Sequence, residues 1–174
     1  MGSLPLHPAI VHVPLGLAFI MPFLALGFAW ALWTGRVRTR AWLAIVLLQA
    51  LLLAAGLAAT NTGEAEEDRV ERIVPHAAIE QHEEYAELFV WGTGITLALM
   101  GLVPVVRPAR AVRALTAAAV AGTFAVAGLG GLVGHAGGQL VYVHNAGAAY
   151  GSGTTRPARR ASRDGTGPPP FRQT

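Results

Sequence analysis

Four long apolar stretches limit this chain to one kind of fold, because a helix needs about 20 apolar residues to cross the hydrocarbon core of a bilayer. The first runs from about Pro8 to Trp33 and contains IVHVPLGLAFIMPFLALGFAWALW. The second, AWLAIVLLQALLLAAGLAAT, covers about Ala41 to Thr60. The third is apolar from about Tyr85 to Val106, and the fourth from about Ala109 to Val133, with its helix free to run further. Backbone polar groups in lipid must be satisfied within the segment, so each stretch is predicted as a helix. Pro14 and Pro22 are tolerable there, since neighbouring helices can satisfy the carbonyls they free. The expected fold class is an all-α integral membrane four-helix bundle.

Composition excludes the soluble alternative. Of the 174 residues, 53% are hydrophobic and 13% charged, against about 25% charged in a soluble domain. There is no lysine, so arginine supplies all 13 positive charges. Such a basic chain raises the question of nucleic acid. The arginines, however, sit beside apolar runs and in the tail, where membrane topology accounts for them and no nucleic-acid partner is implied. The absence of cysteine removes disulfides, iron–sulfur clusters, thiolate ligands and covalent c-type haem. The first arginine is Arg36, beyond the first apolar run, so no basic leader is recognisable and that run is expected to be retained.

Arginine also sets the expected orientation. Arg36, Arg38 and Arg40 lie between spans one and two, and Arg107, Arg110 and Arg113 between spans three and four, with no acid in either loop. By the positive-inside rule both loops face the cytoplasm, which puts both termini on the periplasmic side of the cytoplasmic (inner) membrane. The arginines of the tail would then lie outside, but residues that far past the last span weigh less.

Residues 1–150 read as one transmembrane domain and 151–174 as a disordered tail or docking strap, rich in Gly, Pro, Ser and Arg. The segment from Asn61 to about Glu84 reads as an acidic central loop. Pro75 suits a first helical turn, so the third helix is expected from Pro75 to Val106. At 1.5 Å per residue that is about 48 Å, longer than the roughly 30 Å hydrocarbon core. Its first turns should stand clear of the membrane.

All six histidines gather at one end of the bundle. His7 and His12 open the first span, His76 and His82 the third, and His135 and His144 follow the fourth. His76, Glu80, Glu83 and Glu87 recur at helical spacing and form an acidic stripe, read as a solvated face. His82 lies about 120° from it, in line with Ala86, Phe89, Thr93 and Thr96, and is expected to point inward. On the fourth span, Gly128, Gly131, His135 and Gly138 share one face. Close helix packing explains such glycines but not the imidazole among them. A flat macrocycle against bare backbone, ligated by His135, explains both. His12, with Gly16 and Phe19, repeats the pattern more weakly.

Ionisable residues within membrane helices mark functional sites, and neutral imidazole suits haem iron, zinc or copper. Met21 and Met100 lie deep in their spans, so bis-histidine ligation of one or two haem b groups is the simplest use. Its ligands would come from His12, His82, His135, His144 and His7, with Gly131 and Gly138 giving the ring room. A metal-binding or transport protein for Cu, Zn or Fe, a quinone-type site and a structural subunit of a larger membrane complex are the alternatives. There is no GxSxG elbow, P-loop or GxGxxG, and HAAIEQHEE lacks the HExxH spacing of a zincin. An electron-transfer or accessory subunit is expected, not an enzyme by itself.

Three motifs in order, LPLHPAIVHVPLGL, IEQHEEYA and GHAGGQLVYVHNAG, resemble a family of four-helix predicted membrane proteins gathered as a domain of unknown function. The resemblance covers about residues 4–150. Its motif histidines fall on His7, His12, His82, His135 and His144, while Val13 and Asn145 replace its usual Phe and Gly. The resemblance implies a setting beside Rieske-type or c-type cytochrome proteins, and so electron transfer. The expected partners are the lipid bilayer, a protein redox partner or larger membrane complex, and a quinone.

Overall fold

The computed structural model describes residues 6–150. The segment from Gly151, expected as a tail or strap, lies outside the described residues. Those described are helical and contain no strand: α1 (His7–Ile10), α2 (His12–Trp33), α3 (Leu43–Val70), α4 (His76–Leu102) and α5 (Ala109–Tyr142). Short 3-10 turns occupy Thr39–Trp42 and Ala146–Tyr150. Four helical segments are long and apolar enough to cross a membrane: His7–Trp33, Thr39–Val70, His76–Leu102 and Ala109–Tyr142. They pack as a ring in the order α2, α3, α4, α5 and back to α2. Large apolar side chains such as Phe23, Leu47, Trp91 and Ile95 point outward, as lipid-facing surfaces require.

Proline chemistry explains where the helices break. Pro14 has no N–H for the Ile10 carbonyl, and the first span divides at Val11 into α1 and α2. Pro104 likewise cannot bond the Met100 carbonyl, and α4 stops at Leu102, four residues before the expected end. The Met100 carbonyl accepts the Val103 N–H at 3.3 Å and the indole N–H of buried Trp42 at 3.1 Å. A tighter backbone bond and a side chain thus replace the lost rung where water cannot.

The expected end of the second span was ten residues short. Helix α3 continues through the acidic segment to Val70, so only residues 71–75 connect it to α4. Thr60 and Asn61 bond back to the Leu57 carbonyl at 2.9 Å, and Thr62 to that of Ala58 at 3.1 Å. The backbone ladder continues past the end of the apolar run, which marks the edge of lipid and not the edge of the helix. Both α3 and α4 extend the bundle at the histidine-bearing end.

Small residues set the interhelical distances. Ala18, Ala25 and Ala29 of α2 are fully buried. Between α4 and α5 the approach is closest at Gly122, where an added Cβ would lie 2.7 Å from the Thr96 hydroxyl oxygen. Bare glycine backbone is what admits a neighbouring helix this closely. After α5 the chain turns through Asn145 at φ 56°. That left-handed geometry suits Gly or Asn, and Asn145 meets it. Ala146 then seals a small apolar cluster with Val74 and Ile79.

Gly122→Ala should destabilise the protein by about 1–3 kcal/mol through overpacking, whereas Gly128→Ala, with open space around it, should stabilise it by about 0.5–1 kcal/mol through helix propensity. Thermal melting in detergent checks this. Combining Gly122→Ala with Thr96→Ala should recover much of the loss.

Candidate histidine site

The site is built where α1, α3, α4 and α5 meet at the histidine-bearing end. The His7 ring lies against α3, with Nδ1 at 2.9 Å from the Ala59 carbonyl and 3.3 Å from the Thr62 hydroxyl. A carbonyl only accepts, so Nδ1 carries the proton and Nε2 is left with a bare lone pair. Gly63 makes this position possible, since a Cβ there would lie 3.2 Å from His7 Cε1. On the opposite side, His82 of α4 packs against Gly137 of α5, where a Cβ would again lie 3.2 Å from the ring. The Val133 carbonyl lies beside the His82 ring. Its Nδ1 is buried, and no protein group hydrogen-bonds to it.

The two rings meet edge to face, with centroids 6.3 Å apart and planes at 87°. Each ring is cradled by a glycine, and among the described residues the buried Nδ1 of His82 has no hydrogen-bond partner. Among the described residues, no three His, Asp or Glu side chains come together as a metal-ligand group. The arrangement is a pair of imidazoles in contact.

His82 therefore faces inward, as its spacing suggested, but its neighbour is His7. His135 does not point into the bundle. It is exposed, and its Nε2 lies 3.2 Å from the Gln139 amide nitrogen. Gly131 is exposed and Gly138 half-buried, and an added Cβ at either, or at Gly128, meets nothing within 4 Å. The groove read from the sequence faces away from the core. The inward face of α5 is its other glycine set: Gly130 packs against Phe89 and Leu15, and Gly137 against His82. His12 is also exposed, and His144 is half-buried in the turn after α5. His76 is exposed at 3.9 Å from both Glu71 and Glu80, and Glu80, Glu83 and Glu87 are exposed with it.

Glu66 went unnoticed in the sequence, where it is one of five acids between Glu64 and Glu71. Its Oε1 accepts the Leu6 backbone N–H at 2.9 Å and that of His7 at 3.5 Å. Its Oε2 accepts the Tyr150 hydroxyl at 2.7 Å. The Arg69 guanidinium lies 5.6 Å from the Tyr150 ring centre. No local pattern could have marked Glu66, because its partners lie 60 and 84 residues away.

Burial, and then the bond to the Glu66 carboxylate, push the Tyr150 hydroxyl up to about 12 from its ordinary 10. A raised value means that the contact stabilises the fold fully below about pH 10 and is lost as pH rises through about 12. Ultraviolet titration should show one tyrosine ionising late, and Glu66→Ala should return it towards 10. An unchanged titration in that variant would contradict the assignment.

No curated protein and no solved structure matches the chain. A family model described as "Predicted membrane protein (DUF2231)" matches residues 3–150. Four membrane-length helices agree with that description. The chain belongs to the DUF2231 family of predicted membrane proteins.

Proposed function

We propose that this membrane protein is an electron-transfer subunit whose metal centre is held between His7 and His82. The observation that carries this reading is the contact of the His7 and His82 rings, together with the buried Nδ1 of His82, which has no hydrogen-bond partner among the described residues. Metal-ligating histidines commonly donate their second ring N–H to a backbone carbonyl, which fixes the tautomer. His7 has this arrangement with Ala59. Two imidazoles on opposite sides of one ion, with metal–nitrogen bonds of about 2.0–2.1 Å, have centroids about 6 Å apart. The 6.3 Å separation is of that size, and turning the edge-to-face rings would bring one nitrogen of each to a shared ion.

In this reading His7 and His82 would hold the iron of a haem b. Bound there, it would supply one-electron chemistry at the outer face, between a quinone or membrane reductase and an acceptor protein. The chain's own part is to hold two neutral rings at a fixed separation and to limit water around them. One centre at one end cannot move electrons across the whole bilayer, so a protein partner or larger complex belongs to this reading. His12, His135 and His144 lie outside the centre.

A bare Cu, Zn or Fe ion is the second reading. It is favoured because the unpartnered nitrogen of His82 is Nδ1 and because backbone closes on both rings at Gly63 and Gly137.

Protein purified from haem-replete cells should show reduced-minus-oxidised bands of b-type haem, lost in His82→Ala and His7→Ala and kept in His135→Ala. A colourless, iron-free preparation would defeat the haem reading, and metal analysis of the same sample then judges the second. If His135→Ala loses the centre while His82→Ala keeps it, the site is misassigned.

A further inference from the structure

Helix α1 has only four residues and is the first turn of the His7–Trp33 span, joined to α2 where Pro14 leaves the Ile10 carbonyl without its helical bond. A single turn has little stability of its own, since nucleation fixes several residues for one hydrogen bond. Leu6 offers no side-chain cap at its start. The amides left free there need acceptors, and those of Leu6 and His7 reach one oxygen of Glu66 on α3. The other oxygen is bound by Tyr150, at 2.7 Å. Short bonds to a carboxylate are the strong ones. Tyr150 itself is fixed, because Ala146 of the same 3-10 turn is buried against Val74 and Ile79.

From this geometry we infer that Glu66 is the positioning residue for His7, and that Tyr150 locks it, so that the segment after α5 governs the imidazole pair. The inference rests on the reading of His7 and His82 as ligands, and it assigns Glu66 no contact with the centre. The ring bond to Ala59 alone leaves the backbone of His7 free to shift. The Glu66 carboxylate removes that freedom, and the hydroxyl of Tyr150 stops the carboxylate from rotating away. A residue 143 positions along the chain thereby decides how rigidly the His7 ring is presented to His82.

The test uses full-length protein in lipid nanodiscs, with histidine-selective 15N NMR and the His7 signals assigned by His7→Asn. Wild type should show His7 as a single Nδ1–H tautomer. Tyr150→Phe should give a mixture of the two tautomers, and Glu66→Ala a larger shift towards it. Glu66→Gln, which keeps an acceptor for the amides, should restore most of the wild-type pattern, and Glu64→Ala on the same helix should change nothing. A wild-type His7 spectrum in Tyr150→Phe would overturn the inference. So would equal effects of Glu64→Ala and Glu66→Ala. Where a centre is bound, its electron paramagnetic resonance signature should shift in the same order of variants. Because the tautomer is read without any metal, loss of the metal reading and loss of this inference give different results.

Discussion

The arrangement of the bundle depends on which glycines of α5 are pressed against its neighbours. Gly122, Gly130 and Gly137 each meet a side chain where a Cβ would stand: Thr96, Phe89 and His82 in turn. In lipid there is little hydrophobic gain in bringing two helices together, so contact area from close backbone approach carries the association. That contact rotates α5 so that Gly137 faces α4 and His135 faces out. Once the rotation is set, His82 has a bare surface to lie on and His135 has none inside the bundle.

The histidine-bearing end obeys different physics from the rest. There α3 and α4 extend as charged helices, and hydrogen bonds to side chains take over from apolar packing. Glu66 joins the start of α1, the end of α3 and the turn at Tyr150. Arg69 adds a cation near the Tyr150 ring. The opposite end relies on tryptophan: the Trp42 indole satisfies the Met100 carbonyl, and the Trp33 indole bonds the Thr116 hydroxyl at 2.8 Å. Each end thus completes backbone or hydroxyl groups that lipid cannot. Between them, buried Gln49 binds the Thr93 carbonyl through its amide N–H at 3.2 Å and ties α3 to α4.

The alternation of apolar runs with charged segments determined the helix count, the membrane class and the one-sided placement of the histidines. Lipid permits one solution for a long apolar segment, so that part of the fold is local and legible. Spacing on α4 also separated His82 from the acidic stripe, because the stripe and the Phe89–Thr93–Thr96 line differ in polarity. On α5 the same reasoning failed. Its outer third carries glycine on two faces, and periodicity cannot rank two bare faces. The length of α3 was misread for a related reason: hydropathy reports the edge of lipid, while a helix continues wherever its backbone bonds are met.

The sequence by itself therefore determined what crosses the membrane and which end holds the histidines, since both follow from residue polarity alone. Only the tertiary structure decided that His7 and His82 face each other, and that Glu66 and Tyr150 hold His7 from opposite ends of the chain. Those pairings depend on the rotation of each helix about its axis, and that rotation is set by contacts between residues far apart in the sequence.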